Sequence, residues 1–311
     1  MATVDVVTGA FSYTGSFIAR RLLAAGHQVR TLTNNPNPPA DLAKKVARAP
    51  LNFDDSEGLV RFMRGADTLY HTYWIHSNHG ADAFAGAVRR SRRLFAAARE
   101  AGIRRLVHIS IANPTGSDHP YYASKAALED ALRSTGIPYG IVRPTLVYGE
   151  GDVLINNIAW VLRHFPIFAI PGDGAYRLQP VHVDDVAAIA VAAGLGGENL
   201  AVDAAGPDIL TFEALVRLLR HAVESRAVLV KTAPALALAG ARVAGFIARD
   251  ALLTREQLDD LRAELLISRQ RPRGTIQFRE WLPRQRGLLG YRYASAQTRH
   301  QPRLAPPGRV A

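Results

Sequence analysis

Tyr121 and Lys125 have the residue types and the spacing that suit acid–base chemistry. They lie four residues apart in a predicted helix, so their side chains project from the same face one turn apart. A phenol with a pKa of about 10 is a poor base at neutral pH, and a neighbouring ammonium group lowers that pKa. The pair is therefore a candidate for acid–base catalysis. In the alternative interpretation, Tyr121 and Tyr122 only pack at the helix start and Lys125 is solvated.

Residues 8–15 form a turn, Thr-Gly-Ala-Phe-Ser-Tyr-Thr-Gly, between a β-branched run and a helical pattern. In such a turn Gly9 permits the tight bend, and Gly15 lets the helix pack closely on the strand. The helix start then offers unpaired N–H groups to a pyrophosphate. A purely structural turn is the alternative, but the position at the start of a βαβ series favours dinucleotide binding. The predicted cofactor-binding residues of the turn are Gly9, Phe11, Ser12, Tyr13, Thr14 and Gly15.

The end of the second predicted strand, at residues 30–35, bears on which cofactor binds. Sites for NAD usually place an acidic residue here to bind the ribose diol. No acidic residue follows Arg30 until Asp41, and a carboxylate would repel a 2′-phosphate, so the sequence favours NADP over NAD. We predict that Asn34 or Asn35 donates hydrogen bonds to that phosphate. Arg30 is a weaker candidate, because strand side chains alternate and its own points away from the site.

An aromatic segment, residues 70–76, follows another predicted strand and therefore lies beside the expected substrate position. We predict that Tyr73 and Trp74 contact the substrate, together with Tyr148. A metal site is not predicted, because no zinc-binding spacing and no nearby carboxylate accompany the histidines of this stretch, His71, His76 and His79.

The elements that must position these residues alternate between β-branched runs and helical patterns, as in a series of βαβ units. Five or six parallel strands are implied, and ligands of such sheets bind beyond the carboxyl ends of the strands. We therefore predict an α/β fold, a Rossmann-type doubly wound parallel sheet with a smaller C-terminal substrate-binding region. The predicted strands are Val4–Thr8, Gln28–Thr33, Thr68–Thr72, Arg105–Ser110, Tyr139–Arg143 and Asn199–Asp203.

The predicted NAD(P)-binding core comprises residues 1–150, and residues 175–205 return to it. Prolines and glycines punctuate shorter segments after residue 150, which predicts a smaller substrate-binding region at residues 151–174 and 206–295. Thr211 and Thr254 are predicted helix N-caps. Residues 296–311 are polar and lack periodicity, so we predict a disordered basic tail there.

The composition excludes several classes of protein. With 48% apolar and 21% charged residues over 311 positions, the chain has an ordinary globular composition. Cysteine is absent, which excludes disulfides, thiolate nucleophiles and cysteine-ligated metals. Residues 262–311 contain eleven Arg and two Glu and so hold nine of the eleven net positive charges. Because the other 261 residues carry a net charge of only about +2, nucleic acid is not an expected partner. No membrane span or secretion signal is predicted, which favours a cytoplasmic location.

Four ordered motifs resemble those of the extended and atypical short-chain dehydrogenases/reductases, over roughly residues 3 to 220. The turn at residues 8–15 resembles TGxxGxxG, and Tyr121 to Lys125 resembles YxxxK. Residues 143–149 resemble RPxxVYG, and residues 180–187 resemble PxHVDDVA. Because no clear sugar-nucleotide signature is present, the NmrA-like branch of the epimerase/dehydratase-type proteins is the nearer resemblance.

The resemblance implies hydride transfer between a nicotinamide and a small-molecule carbonyl or alcohol. It implies that Tyr121 exchanges the proton, that Lys125 also holds the nicotinamide ribose, and that Ser110 orients the substrate oxygen. Other polar residues compete with Ser110 for that place, namely Asn113, Thr115 and Ser117.

The resemblance also implies cofactor contacts from Asn52, Phe53, Arg143 and Pro144. Ser12 departs from the family pattern, in which a glycine lets the pyrophosphate approach the backbone. Its hydroxyl either crowds the cofactor or donates to a phosphate oxygen.

Three other interpretations stay open. The protein would be an NmrA-like redox sensor that binds the dinucleotide without turnover, or an epimerase or dehydratase on the same scaffold. Alternatively, the basic C-terminal segment would bind nucleic acid or a membrane surface, with an affinity that falls steeply with salt. A homodimer through the predicted helix at residues 84–101 is an expectation from fold analogy alone.

Overall fold

Seven parallel strands form the central sheet of the computed structural model, which describes residues 3–75, 80–248 and 255–294. In chain order the elements are β1 (Val4–Thr8), α1 (Tyr13–Ala24), β2 (Gln28–Leu32), β3 (Val46–Ala49), α2 (Ser56–Met63), β4 (Thr68–His71), α3 (Gly80–Glu100), β5 (Arg105–Ile109), α4 (Pro120–Arg133), β6 (Tyr139–Pro144), β7 (Leu146–Tyr148), α5 (Leu154–His164), β8 (Ile167–Pro171), β9 (Arg177–Leu178), β10 (Pro180–His182), α6 (Val183–Leu195), β11 (Leu200–Ala204), β12 (Leu210–Thr211), α7 (Phe212–Ala222), β13 (Val228–Thr232), α8 (Pro234–Ala248), α9 (Arg255–Arg262), α10 (Phe278–Trp281) and a 3₁₀ helix (Leu282–Gln285). The central sheet has the order β11-β6-β5-β4-β1-β2-β3.

The strand order reverses at β1, which pairs with β2 on one side and β4 on the other. This is a doubly wound sheet, so the predicted α/β class is confirmed. The predicted number of strands is too low because the prediction omits β3. That strand is a four-residue edge strand, Val-Ala-Arg-Ala, with one β-branched residue, and so gives a weak signal in the sequence.

Apolar side chains cover both faces of the sheet. Val6 and Val7 are neighbours on β1, and both are fully buried on opposite faces because strand side chains alternate. The face of Val6 packs against α2, α3 and α4, and the face of Val7 packs against α1 and α6. Burying one such side chain contributes roughly 1.5–3 kcal/mol, and the two layers together fix the carboxyl ends of the strands at one edge.

A further apolar core lies beyond the sheet and is built from α5, β8, α7, α10 and the 3₁₀ helix. Helix α7 begins at the predicted N-cap, where Thr211 Oγ1 accepts a hydrogen bond from Ala214 N at 3.1 Å. Strand β11 returns to the edge of the central sheet beside β6. The predicted N-cap at Thr254 and the predicted tail lie outside the described residues. Within the described ranges, every helix is too short or too polar to cross a bilayer.

The PxHVDDVA-like segment joins the sheet to this further core. His182 Nδ1 caps α6 by accepting a hydrogen bond from Asp184 N at 3.2 Å. Asp184 binds Arg21 of α1 through two bonds of 2.8 and 2.7 Å. Asp185 accepts hydrogen bonds from the N–H groups of residues 275 and 276, at 3.0 and 2.9 Å. The segment therefore has a structural role and holds the C-terminal part of the chain against α6.

Candidate active site

The turn between β1 and α1 requires glycine at two positions. Gly9 has a φ of +65°, in the left-handed region that favours glycine. A Cβ on Gly15 would lie 2.2 Å from Gly9 O, far inside van der Waals contact. Glycine at position 15 therefore lets α1 approach the end of β1. Asn35 Nδ2 donates to Phe11 O at 2.8 Å and braces the turn from the end of β2.

The start of α1 is suited to an anion. Its N-cap, Ser12, makes no side-chain hydrogen bond to the helix, and the first turn contains no acidic residue. Backbone N–H groups at such a helix start attract phosphate. Ser12 has φ −99° and ψ 177°, an extended conformation that any residue adopts, so serine here introduces no backbone strain. The turn therefore fits the diphosphate of a dinucleotide.

Thr8 and Thr72 fasten the ends of β1 and β4 together. Thr8 Oγ1 accepts hydrogen bonds from the N–H groups of Thr72, at 2.8 Å, and Tyr73, at 3.1 Å, while Thr72 Oγ1 donates to Thr8 O. These bonds set the point where the chain leaves β4 and so position Tyr73 and Trp74. Sequence reasoning missed this role of Thr72, although a hydroxyl at the end of a predicted strand was the available signal.

The residues predicted to bind a 2′-phosphate are bonded to the protein backbone. Asn34 exchanges two hydrogen bonds of 3.0 Å with the N–H and C=O of Leu51. Besides bracing the turn, Asn35 accepts a bond from Asn37 N at 3.0 Å. Arg30 donates to two carbonyls at the end of α2, away from the turn, as expected. Bonds from Asn34 or Asn35 to a phosphate stay a prediction.

The residues predicted beside the adenine and the substrate form their own contacts. Asn52 is exposed, and its Oδ1 accepts a hydrogen bond from Asp54 N at 3.1 Å. The rings of Phe53 and Tyr73 lie 4.8 Å apart between centres, and the Tyr73 hydroxyl lies 3.5 Å from Arg90 Nη1. Whether Asn52, Phe53 and Tyr73 contact a ligand stays a prediction.

Lys125 is buried, with 4% of its surface exposed, so the alternative of a solvated lysine is wrong. Its Nζ donates to Ile109 O at 3.3 Å and lies 4.2 Å from the centre of the Trp74 ring. Tyr121 lies beside it, with its ring centre 6.0 Å from the same Nζ. The Tyr121 ring also packs edge-to-face on Trp74 and on Phe84. An ammonium group and a phenol thus meet in aromatic surroundings.

Burial shifts the pKa values of both groups. It lowers the pKa of Lys125 to about 7, and the charge of Glu129 opposes part of that shift. Burial, together with the negative charge of Asp260, raises the pKa of Tyr121 to about 12. The expected lowering of the Tyr121 pKa is therefore not found. At neutral pH the phenol is protonated, which suits a proton donor better than a base.

The neighbouring tyrosine faces a different environment. Tyr122 is 2% exposed and packs with Ile111 and Leu265. Leu265 belongs to a segment that we call the strap, residues 260–277, which follows the main part of α9. The strap is held to the loop after β5 by the ion pair of Asp260 with His119, at 2.7 Å between Oδ1 and Nδ1. Of the two tyrosines, Tyr121 is therefore the one placed with Lys125 and Trp74.

The loop after β5 is also bonded to the strap through Asn113, one of the residues that compete with Ser110 for the place beside the substrate oxygen. Asn113 Nδ2 donates to Leu265 O at 2.9 Å and to Ile267 O at 2.7 Å. Asn113 has a φ of +49°, a left-handed conformation that asparagine tolerates better than most residues. Both amide hydrogens of Asn113 therefore hold the strap.

Ser110 lies in an ionic network centred on Glu129, a buried residue of α4. Its Oγ donates to Glu129 Oε1 at 2.7 Å. Arg143 donates two bonds to the same carboxylate, at 2.8 and 2.5 Å, and Arg133 adds one at 3.0 Å. Burial alone would raise the pKa of Glu129, but the bonds from Arg143 and Ser110 hold it below its usual value. The network connects α4 to the end of β5 and to β6, which ends at Pro144. Whether Ser110, Arg143 and Pro144 contact a substrate or a cofactor stays a prediction.

Replacing Glu129 with Leu is expected to lower the free energy of unfolding by about 3–5 kcal/mol, because Arg143 would keep a largely buried charge without its partner. Urea denaturation followed by circular dichroism measures the change. The control is Asp130→Asn, which alters an exposed carboxylate on the same helix and should cost less than about 0.5 kcal/mol. Equal effects of the two substitutions would show that the buried network is not stabilising.

Tyr148 and one histidine of the aromatic stretch are buried. Tyr148 has no exposed surface, and its hydroxyl donates to Ile276 O at 2.9 Å, so it packs in the C-terminal core and offers no surface to a substrate in this structure. His71 is also fully buried, and its Nδ1 lies 2.8 Å from His108 Nδ1. Two other histidines of the aromatic stretch, His76 and His79, lie outside the described residues. In the described part of the chain, no cluster of three or more metal-ligating side chains is found.

A glycine turn at the end of β1 and a tyrosine–lysine pair at the start of a later helix define a Rossmann-fold protein of the short-chain dehydrogenase/reductase type. The chain belongs to the NAD dependent epimerase/dehydratase family, whose sequence profile matches residues 6–200. The family predicted from the motifs is therefore confirmed, and with it an NAD(P)-dependent class of protein.

The curated relatives include several reductases. The chain is 31% identical over 193 residues to the ceramide reductase of Caulobacter vibrioides. This alignment covers 61% of this chain and 60% of the relative. It is 26% identical over 207 residues to the 2-alkyl-3-oxoalkanoate reductase of Stenotrophomonas maltophilia, covering 58% and 62%. The chain thus spans about three fifths of the length of these relatives.

Solved structures share the fold over most of the chain. The UDP-N-acetylglucosamine 4-epimerase of Bacillus cereus has a TM-score of 0.68 at 15% identity, covering 92% of this chain and 96% of that one. The dTDP-glucose 4,6-dehydratase of Streptomyces venezuelae, solved with NAD bound, has a TM-score of 0.66 at 24% identity, covering 91% and 95%. At these identities the likeness establishes the fold alone.

Proposed function

We propose that the protein is an NAD(P)H-dependent reductase of a ketone or aldehyde group on an apolar small molecule. The observation that carries this proposal is Tyr121, a protonated phenol beside the buried amino group of Lys125 and the rings of Trp74 and Phe84. A reduced nicotinamide, when bound, supplies the hydride. Tyr121 then donates its proton to the oxygen of the reduced carbonyl.

The chain's own residues have distinct parts in this proposal. The turn at residues 8–15 binds the diphosphate through backbone N–H groups. In its protonated form Lys125 stabilises the phenolate that remains on Tyr121 after the proton has left, because the charge lies in surroundings with little water to screen it. Ser110 directly follows Ile109, whose carbonyl accepts a hydrogen bond from Lys125, and the Ser110 hydroxyl donates to Glu129.

NADPH is proposed as the preferred cofactor over NADH. The end of β2 carries no carboxylate to bind a ribose diol, and the next acidic residue, Asp41, is paired with Arg20 through bonds of 2.6 and 3.1 Å. A 2′-phosphate therefore meets no free carboxylate from this part of the chain.

An apolar substrate is supported by the aromatic side chains around Lys125 and by the names of several relatives. Besides ceramide reductase and 2-alkyl-3-oxoalkanoate reductase, they include the 4-hydroxy-2-methyl-3-oxo-4-farnesyl-3,4-dihydroquinoline-1-oxide ketoreductase of Stigmatella aurantiaca. Each of these names joins a reductase activity to a substrate that carries hydrocarbon. We expect a similar chemistry here, with a substrate of its own.

Cofactor binding is expected to raise the thermal midpoint of the purified protein. A ligand that binds the folded state alone stabilises it by about 2.7 kcal/mol at 100 times its Kd, so NADPH should give a clear shift and NADH a smaller one. Differential scanning fluorimetry with each nucleotide measures this. A larger shift with NADH would overturn the cofactor preference, and no shift with either would overturn the proposed reductase. A shift with NADPH but no turnover of any apolar ketone would favour the redox sensor instead.

A further inference from the structure

A second hydrogen-bond donor to the substrate oxygen would complete the site, and two of the four side chains expected to supply it, Ser110 and Asn113, donate to other groups of the protein. The Ser110 hydroxyl has one hydrogen, which it donates to Glu129. Asn113 uses both amide hydrogens on backbone carbonyls of the strap. In this structure the donor hydrogens of both side chains are therefore bonded within the protein.

Trp74 has an unused donor at the same place. Its indole Nε1 is buried and has no hydrogen-bond partner in the part of the chain that the structure describes. A buried donor without a partner costs about 1–3 kcal/mol, and such groups in a folded protein call for an explanation. The Trp74 ring contacts both Lys125 and Tyr121, so a ligand group bonded to this donor would lie beside that pair.

The faces of the indole ring are already occupied. Lys125 Nζ lies over the ring, 4.2 Å from its centre, and Phe84 stacks nearly parallel to it, at 5.8 Å and 10°. The group of Trp74 that can hydrogen-bond a ligand lies at the edge of the ring, and it is Nε1. This distinguishes Trp74 from an aromatic wall that contacts a substrate through its face.

We propose that the Trp74 indole N–H donates a hydrogen bond to the substrate carbonyl oxygen. The inference rests on the proposed reductase function. Hydride adds to the carbonyl carbon, the C=O π electrons move to oxygen, the O–H bond of Tyr121 breaks and the new alcohol O–H forms. Trp74 keeps its proton throughout and stabilises the negative charge that develops on oxygen before Tyr121 transfers its own. Two donors, one that transfers a proton and one that does not, complete the site for the oxyanion.

The first test is kinetic and uses NADPH with 2-decanone as an apolar ketone probe. Trp74→Phe keeps an aromatic ring and removes the N–H, and we expect kcat to fall about 100-fold while the KM for NADPH is unchanged. Trp160→Phe is the matched control, because Trp160 is a buried residue of α5 whose ring packs on His164 and Phe165, and it should retain wild-type kcat. Replacing Trp74 with benzothienylalanine, which has sulfur in place of N–H at nearly the same shape, separates a lost donor from disturbed packing.

The second test reads the indole directly. The protein has three tryptophans, so a ¹⁵N-labelled sample gives three indole N–H signals, of which Trp74→Phe removes one. We expect that signal to move downfield on addition of NADP⁺ with 2-decanone, as a new hydrogen bond forms. Full kcat in either Trp74 variant, or a stationary Trp74 signal while other signals report binding, would overturn the inference alone. Absence of NADPH-dependent reduction by the wild type would overturn the proposed function and this inference with it.

Discussion

Replacing Tyr121 with Phe is expected to lower kcat for NADPH-dependent ketone reduction by about 10²- to 10⁴-fold, since it removes the proton donor and keeps the ring. The contacts of that ring with Trp74 and Phe84 do not involve the hydroxyl, so the thermal midpoint and the NADPH-induced shift should be preserved. Steady-state kinetics and scanning fluorimetry on the same preparation separate the two effects.

Tyr122→Phe is the matched control, because Tyr122 packs with Ile111 and Leu265, whereas Tyr121 is the tyrosine whose ring lies beside Lys125. It should keep most of the activity. Loss of activity in Tyr122→Phe, with retention in Tyr121→Phe, would reverse the assignment.

The protonation state of Tyr121 also affects how the rate of reduction depends on pH. A proton donor must be protonated, and burial with the charge of Asp260 raises the pKa of Tyr121 to about 12. The phenol therefore stays protonated throughout the working range, and a fall in kcat for reduction between pH 7 and pH 10 is expected to follow the loss of the Lys125 proton, whose pKa burial lowers to about 7, and not the ionisation of Tyr121.

Replacing Gly15 with Ala is expected to abolish the NADPH-induced stabilisation of about 2.7 kcal/mol and to lower the free energy of unfolding by about 1–3 kcal/mol. The new Cβ would lie 2.2 Å from a backbone oxygen, so α1 must move away from the end of β1. That movement takes the N–H groups of the helix start out of position for a diphosphate.

Gly86→Ala is the control, because Gly86 also lies in a helix but a Cβ there would meet only the end of the Arg89 side chain, at 3.8 Å. Alanine has the higher helix propensity, so this variant should be as stable as the wild type or slightly more so. Equal losses in Gly15→Ala and Gly86→Ala would indicate that close packing at the turn is not the cause.

The fold and the glycine turn could be predicted because their signals are local. The βαβ alternation and the spacing of Gly9 and Gly15 each lie within a few residues, and the structure places both glycines where a side chain could not fit or φ is positive. Strand β3 escaped prediction because its burial comes from pairing at the edge with β2, which its own residues barely encode.

The electrostatic state of the site could not be predicted, because it depends on contacts between distant parts of the chain. The pKa of Tyr121 is raised in part by Asp260, 139 residues away. The Ser110 hydroxyl is taken by Glu129, a residue that no motif singled out. Asn34 looked free as a phosphate donor until its bonds to Leu51 were seen.

The residues around the tyrosine–lysine pair come from two separate parts of the sequence. Residues 6–200, which the family profile covers, carry the turn and the tyrosine–lysine pair, whereas Asp260 and Leu265 come from beyond that range. Because the strap reaches the loop after β5 through side-chain contacts rather than through the sheet, its residues can change without disturbing the cofactor turn. Substitutions at Asp260 or Leu265 would therefore alter the surroundings of Tyr121 and Tyr122 from a segment that lies outside the range matched by the family profile.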